Sequence, residues 1–206
     1  MRIVESFIPG RARQVAVLAV AAGALLAAGC SSGSEAATAP TPTPSTAAAT
    51  SAAPPSAEVK SAPASMSIPA IDIESRVDAV GTDDRVLQIP PEPWVVGWWK
   101  DGVGPGQGRG TVVLTAHLDS REYGAGPFVR VEDLQRGDAM TLTDADGVKH
   151  RYEVAAVDTF RKQALPYAEL FDQRSRERVV FVTCGGTYDR RNGGWDSNVV
   201  VTFTQA

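Results

Sequence analysis

Two cysteines, Cys30 and Cys184, and two histidines, His117 and His150, are all that the 206 residues contain of either type. A disulfide framework is thereby excluded, and a four-ligand zinc site of cysteine and histidine would need every one of them. Lysine is nearly as scarce, occurring only as Lys60, Lys100, Lys149 and Lys162, so arginine carries most of the positive charge. The net charge is -4 and no basic cluster stands out, which argues against a nucleic-acid partner. The longest apolar run, Val15 to Ala28, falls short of the roughly 20 residues that cross a bilayer as a helix. Past Met66 there is no amphipathic stretch of three helical turns, which removes helical bundles from consideration.

What is present divides the chain in three. Arg2, Arg11 and Arg13 precede the apolar run in the manner of a signal-peptide n-region and h-region. The run ends in Leu26-Ala27-Ala28-Gly29-Cys30, which resembles the bacterial lipoprotein cleavage box whose cysteine is lipidated, although Ala27 stands three places before Cys30 where that box usually has leucine. Lipidation at Cys30, an uncleaved signal anchor and ordinary secretion all remain open, and each places the rest of the chain outside the cytoplasm. The first two also attach it to the membrane. Residues 31–65 are almost wholly Ser, Thr, Ala, Pro and Gly, too poor in apolar side chains to offset the entropy of ordering. The expected organisation is therefore a signal or anchor over 1–30, a disordered tether over 31–65, and a folded domain over 66–206.

The folded part reads as all-β. Thr111–Ala116, Ala139–Thr143, His150–Val157, Arg178–Thr183 and Asn198–Thr204 combine β-branched residues with turn residues at their borders. Ser67–Ile73, Arg76–Val80 and Val86–Ile89 add two or three more. Asp144-Ala145-Asp146-Gly147 is a hairpin turn, whereas Pro90–Gly110, rich in glycine and proline, reads as a loop without strand pairing. One helical turn is expected at Phe128–Leu134 and another at Tyr167–Phe171. Seven or eight short strands in such a span predict an antiparallel barrel or sandwich.

Cys184 closes the apolar strand VVFVT and is followed by Gly185 and Gly186, which permit close approach of a ligand and leave amides free near the sulfur. An unpaired thiol in an exported domain is exposed to oxidation, so use as a nucleophile competes well with a packing role. A cysteine nucleophile needs a base or a depressed pKa, and His117, which closes the strand TVVLTA, is the partner of choice. His150, between Lys149 and Arg151 after the Asp-Gly turn, is expected to be solvated. Arg190 and Arg191 lie in a glycine-bounded loop six and seven residues past Cys184, from which either could return to the sulfur and donate to an oxyanion. Thr187 and Tyr188 are plausible contacts beside the nucleophile, and Asp119 and Ser120 could orient His117 or simply shape its loop.

The runs Thr115-Ala116-His117-Leu118-Asp119-Ser120, Val182-Thr183-Cys184-Gly185-Gly186-Thr187-Tyr188-Asp189 and Trp195-Asp196-Ser197-Asn198 together resemble the sortase family, and within it the actinobacterial class F group. Matches at Ile68-Pro69, Gly97-Trp98-Trp99, Gly137-Asp138 and Leu165-Pro166 extend the resemblance over most of the folded part. The resemblance implies an eight-stranded β-barrel cysteine transpeptidase that cleaves an LPxTG-like sorting motif between Thr and Gly. The acyl group then passes to an amine such as a peptidoglycan precursor. It assigns Cys184 as nucleophile, His117 as the partner histidine, and one of Arg190 and Arg191 as the oxyanion contact. Thr183, Gly185, Gly186 and Asn198 would meet the substrate, with Asn198 where many sortases begin their last strand with arginine. It also implies a thiolate paired with an imidazolium.

No cofactor or metal is expected. An L,D-transpeptidase-like cell-wall enzyme and a non-catalytic binding module with a degenerate site are the competing readings. The former places a histidine and glycine directly before its cysteine, where this chain has Val182-Thr183.

Overall fold

The computed structural model describes residues 2–3, 61–191 and 193–206. The signal or anchor reading of residues 1–30, including Cys30, and the tether as far as residue 60 lie outside the described residues, Arg2–Ile3 excepted. In chain order the strands are β1 (Arg2–Ile3), β2 (Pro63–Ile68), β3 (Ile73–Val80), β4 (Thr82–Asp83), β5 (Val86–Leu87), β6 (Val96–Trp99) and β7 (Thr111–Thr115). They continue as β8 (Asp119–Ser120), β9 (Gly124–Ala125), β10 (Ala139–Asp144), β11 (Lys149–Arg161), β12 (Arg178–Asp189) and β13 (Gly194–Gln205). Eight of them close a barrel in the order β10-β11-β13-β12-β7-β6-β3-β2, β2 pairing back onto β10. The remainder form a small sheet in the order β1-β5-β4 and a two-stranded ribbon of β8 and β9. Among the described residues helix is confined to short pieces, 3-10 turns at Pro69–Ile71, Pro127–Asp133 and Lys162–Ala164 and one α-turn at Tyr167–Leu170.

The all-β expectation and the barrel hold, and three details differ. The first barrel strand begins at Pro63, inside the segment expected to be tether, because Ser65 and Met66 pair with both β3 and β10. A strand also runs through the segment expected to be loop: Gly97 in β6 has no side chain, and a Cβ there would lie 2.8 Å from Pro90 Cδ, so glycine is what lets this strand lie beneath the proline and Val80. Finally, the barrel is mixed. β3–β6 and β7–β12 are parallel, which an antiparallel expectation built from adjacent hairpins could not anticipate.

Period-two alternation sorts side chains to the two faces of each strand. Val112 and Leu114 of β7, Val179 and Phe181 of β12, and Val199, Val201 and Phe203 of β13 point into the barrel core, which Phe128, Val131 and Leu134 close. Their alternates, Val113, Val180, Val182 and Val200, are also buried, under Leu165 and Leu170 of the β11–β12 connection and Leu87 of β5. Burial on both faces explains why these three strands read as continuous apolar runs rather than alternating ones.

The β7 and β12 pair is anchored where it begins. Glu177, 2% exposed, accepts hydrogen bonds from Gly106 N at 2.9 Å, from Gly108 N, and from Tyr152 Oη at 2.6 Å. Burial and the Glu177 carboxyl push the Tyr152 hydroxyl far above the usual tyrosine range, so it remains a donor. Gly110 N donates to Ser175 O and Arg178 N to Gly110 O, which binds the glycine-rich entry of β7 to the entry of β12.

His150 is not solvated as expected. Its Nε2 lies 2.9 Å from Asp144 Oδ2, Asp144 is 5% exposed, and the ring packs against Gly106. The His150 bond foremost, then the Val148 and Asp146 amides, hold the Asp144 carboxyl below the usual range against the upward push of burial. A depressed carboxylate stabilises the fold above its unfolded pKa, and that contribution is lost as pH falls through the folded value. Asp144→Asn is therefore expected to melt below the parent at pH 7, with the gap shrinking as pH falls below the ordinary aspartate value of about 3.9. Thermal melts across pH test this, and an equal gap at neutral and acid pH would reject it.

Candidate functional site

β7 and β12 run in parallel register from Thr111↔Arg178 to Thr115↔Val182. Just past that pairing, Ala116 N donates to Val182 O at 3.3 Å and Thr183 Oγ1 donates to Ala116 O at 2.9 Å. His117 and Cys184 are the next residues on each side. The parallel pairing ends just before His117 and Cys184, and Cys184 shares its parity with Val182 of the outer face. Two residues 67 apart in sequence thus come at the same end of one strand pair because their strands point the same way.

Cys184 is 6% exposed, and its other neighbour across the sheet is Asn198 of β13. Asn198 is 3% exposed and donates Nδ2 to Thr183 O at 3.1 Å, which braces the residue before the cysteine. Two glycines follow. A side chain at Gly185 would collide with Val199, and at Gly186, with φ +80°, it would meet Asp196 and Ser197. The pairing shifts register between Gly185 and Tyr188, and Asp196 staples that bulge by accepting from Thr187 N at 3.0 Å and from Ser197 Oγ at 2.7 Å. The Ser197 hydroxyl and then the Thr187 amide hold the Asp196 carboxyl below the usual range, so it stays a charged acceptor, with Arg161 at 2.9 Å beside it.

Beyond the bulge, β12 and β13 continue as a hairpin to Asp189↔Gly194, where Gly193 N donates to Asp189 O. Arg190 and Arg191 are exposed at its tip and line neither of the cavities described below. Asp189 is five residues past Cys184, at most about 16 Å along the bulged strand. The connection is a two-stranded hairpin that sets both arginines at its exposed tip.

Asp119 and Ser120 shape the loop after His117: Asp119 Oδ1 accepts from Trp195 Nε1 at 2.9 Å, and Ser120 Oγ from Tyr123 N at 2.9 Å. The indole bond joins the ribbon of β8 and β9 to the hairpin, and Tyr188, 41% exposed, packs edge-on against Trp195.

Cavities open on both sides of Cys184. The broad one, about 410 Å³, runs along Gly185 and Gly186 between Leu118, Val131 and Trp195, and it holds the carboxylates of Asp119 and Glu132 without a lysine or arginine. The narrow one, about 10 Å³ and so sized for a single water, is bounded by Ile89, Thr115, Ala116, Val182 and Asn198, and its one charged residue is Lys162. Sequence reasoning passed over Lys162 and Glu177 as site residues; only the scarcity of lysine marked Lys162, and nothing local marked Glu177.

Residues 66–205 match the family model described as a sortase domain. No curated protein matches the chain in sequence. Solved structures with a similar fold include sortase C-1 from Actinomyces oris, 22% identical with TM-score 0.53 and covering 69% of this chain and 72% of that one. Sortase C from Clostridium perfringens SM101 is 20% identical with TM-score 0.50, over 69% and 68% of the two chains. Sortase A from Corynebacterium diphtheriae is 22% identical with TM-score 0.52, over 71% and 61%. At such identities the likeness to these structures shows the barrel and its strand arrangement.

Proposed function

Since the chain belongs to the sortase family of cysteine transpeptidases, we propose that it cleaves an LPxTG-like sorting signal between Thr and Gly and joins the threonyl carbonyl to a cell-wall amine. The observation that carries this reading is the parallel β7–β12 pair, past whose last bonds, Ala116 N to Val182 O and Thr183 Oγ1 to Ala116 O, His117 and Cys184 are the next residues. Cys184 Sγ attacks the threonyl carbonyl, the C–S bond forms, and the C–N bond breaks as His117 gives the leaving glycine amine a proton. An incoming amine then attacks the thioester, forming a new C–N bond and expelling Sγ, while its proton returns to His117. Asp119 and Glu132 line the broad cavity, which suits an acceptor that arrives as an ammonium, such as a diaminopimelate side chain or an oligoglycine terminus.

The class F assignment belongs to the same reading and is supported by Asn198, not arginine, standing opposite the nucleophile. The N-terminal segment and tether would hold the domain outside the cytoplasmic membrane through a lipid on Cys30 or an uncleaved anchor.

The test is to incubate the full chain with a quenched LPxTG peptide and either oligoglycine or diaminopimelate, and to read the product by mass. The expected product is the peptide through Thr joined to the amine. No turnover across a panel varying the second and third motif positions would reject the sorting-signal substrate.

A further inference from the structure

The expected arginines stand at the hairpin tip, which leaves the developing oxyanion of acyl transfer without an assigned donor. Asn198 spends an N–H of its Nδ2 on Thr183 O, and its Oδ1, an acceptor, is unpaired among the described residues. Across the cavities on either side of Cys184, the single lysine or arginine among the lining residues is Lys162. Its place follows from the sheet. Phe160 of β11 pairs with Asn198 of β13, which pairs with Cys184 of β12, and Phe160 packs on the outer face with Val182. Lys162 is two residues on, past the end of β11 at the start of the 3-10 turn Lys162–Ala164, and it lines the narrow chamber with Cys184 and Asn198. It is half-buried and, among the described residues, has no ion pair or hydrogen bond. The same chamber is bounded by Asn198 and Thr115, whose Oδ1 and Oγ1 are buried without a protein partner among the described residues. A chamber with a cation, an acceptor and a hydroxyl, none of them satisfied by a described residue, has the polar groups of a peptide-binding site.

We infer that Lys162 is the cation of the acyl-transfer site: its ammonium donates to the scissile carbonyl oxygen as that oxygen becomes an oxyanion, while Asn198 Oδ1 accepts an N–H of the donor peptide. This rests on the reading that a peptide acylates Cys184. Electrostatic stabilisation by a preplaced donor acts mainly on the transition state, so its loss lowers kcat more than it raises KM.

The experiment compares the full chain with its Lys162→Met and Lys162→Arg variants by two measurements. In peptide transfer, Lys162→Met is expected to lose about 10²–10³-fold in kcat/KM, mostly in kcat, and Lys162→Arg to recover to within about tenfold of the parent. In alkylation of Cys184, the rate with iodoacetate relative to iodoacetamide is expected to fall about tenfold in Lys162→Met and to stay near the parent value in Lys162→Arg, because a cation favours the anionic reagent. The alkylation ratio needs no sorting peptide. If the parent turns over no peptide, the sorting-signal reading fails while the ratio still decides the role of Lys162. An unchanged ratio, or peptide transfer by Lys162→Met within about twofold of the parent, overturns the inference.

Discussion

Cys184→Ala is expected to lose peptide transfer by about 10⁴-fold or more while melting close to the parent. A methyl group cannot form the thioester on which both halves of the reaction depend, yet it replaces a side chain only slightly larger at a site bordered by cavities. His117→Gln is expected to lose about 10²–10⁴-fold, the range for a positioned acid. The two variants separate when the donor is changed. An activated ester of the same peptide releases a leaving group that needs no proton, so it should restore a large part of the His117→Gln rate and none of the Cys184→Ala rate. Equal failure of both variants on the ester would show that His117 holds the site together without moving a proton. Full transfer by Cys184→Ala would remove the thiol from the chemistry altogether.

The largest effect on stability is expected at Glu177, far from the thiol. Glu177→Ala removes the acceptor of three donors, of which the Tyr152 hydroxyl is buried inside the barrel. At roughly 1 kcal/mol per hydrogen bond the loss is about 3 kcal/mol, which for a domain of this size lowers Tm by roughly 10 °C. Tyr152→Phe, which takes away one donor and strands no amide, is expected to cost about 1 kcal/mol. The consequence reaches the site because Glu177 ties the glycine-rich entry of β7 to the entry of β12. That tie sets the register which brings His117 and Cys184 to the same far end of the pair. Calorimetry of the two variants checks the order, and a Glu177→Ala protein melting within a degree or so of the parent would show that the clamp contributes nothing.

Much of the barrel was legible in the residues, for a local reason. β-branched runs bounded by turn residues locate strands, and the five most evident ones, together with the short helical turns near Phe128 and Tyr167, all appear in the structure. Where the reading failed, a tertiary contact overrode local composition. Pro63–Ser65 becomes strand because it finds two partners, and Val96–Trp99 becomes strand in a glycine- and proline-rich stretch because Gly97 fits beneath Pro90. His150 leaves solvent because the Asp144 carboxyl beside it is buried. Each depends on residues more than a few positions away, or on a burial that composition does not record.

From the sequence alone came the lone thiol of the folded part, the histidine able to serve it, the glycines that keep space beside it, and the pitch that assigns faces within each strand. These follow from residue chemistry and from the two-residue period, both readable one segment at a time. Only the tertiary structure decided which strands are neighbours and in which direction they run. The parallel union of β7 and β12, the hairpin with Arg190 and Arg191 at its tip, and the arrival of Lys162 beside the narrow chamber are matters of pairing between distant segments. Pairing is settled by the joint burial of many side chains in one closed barrel, and no single stretch of the chain carries that information.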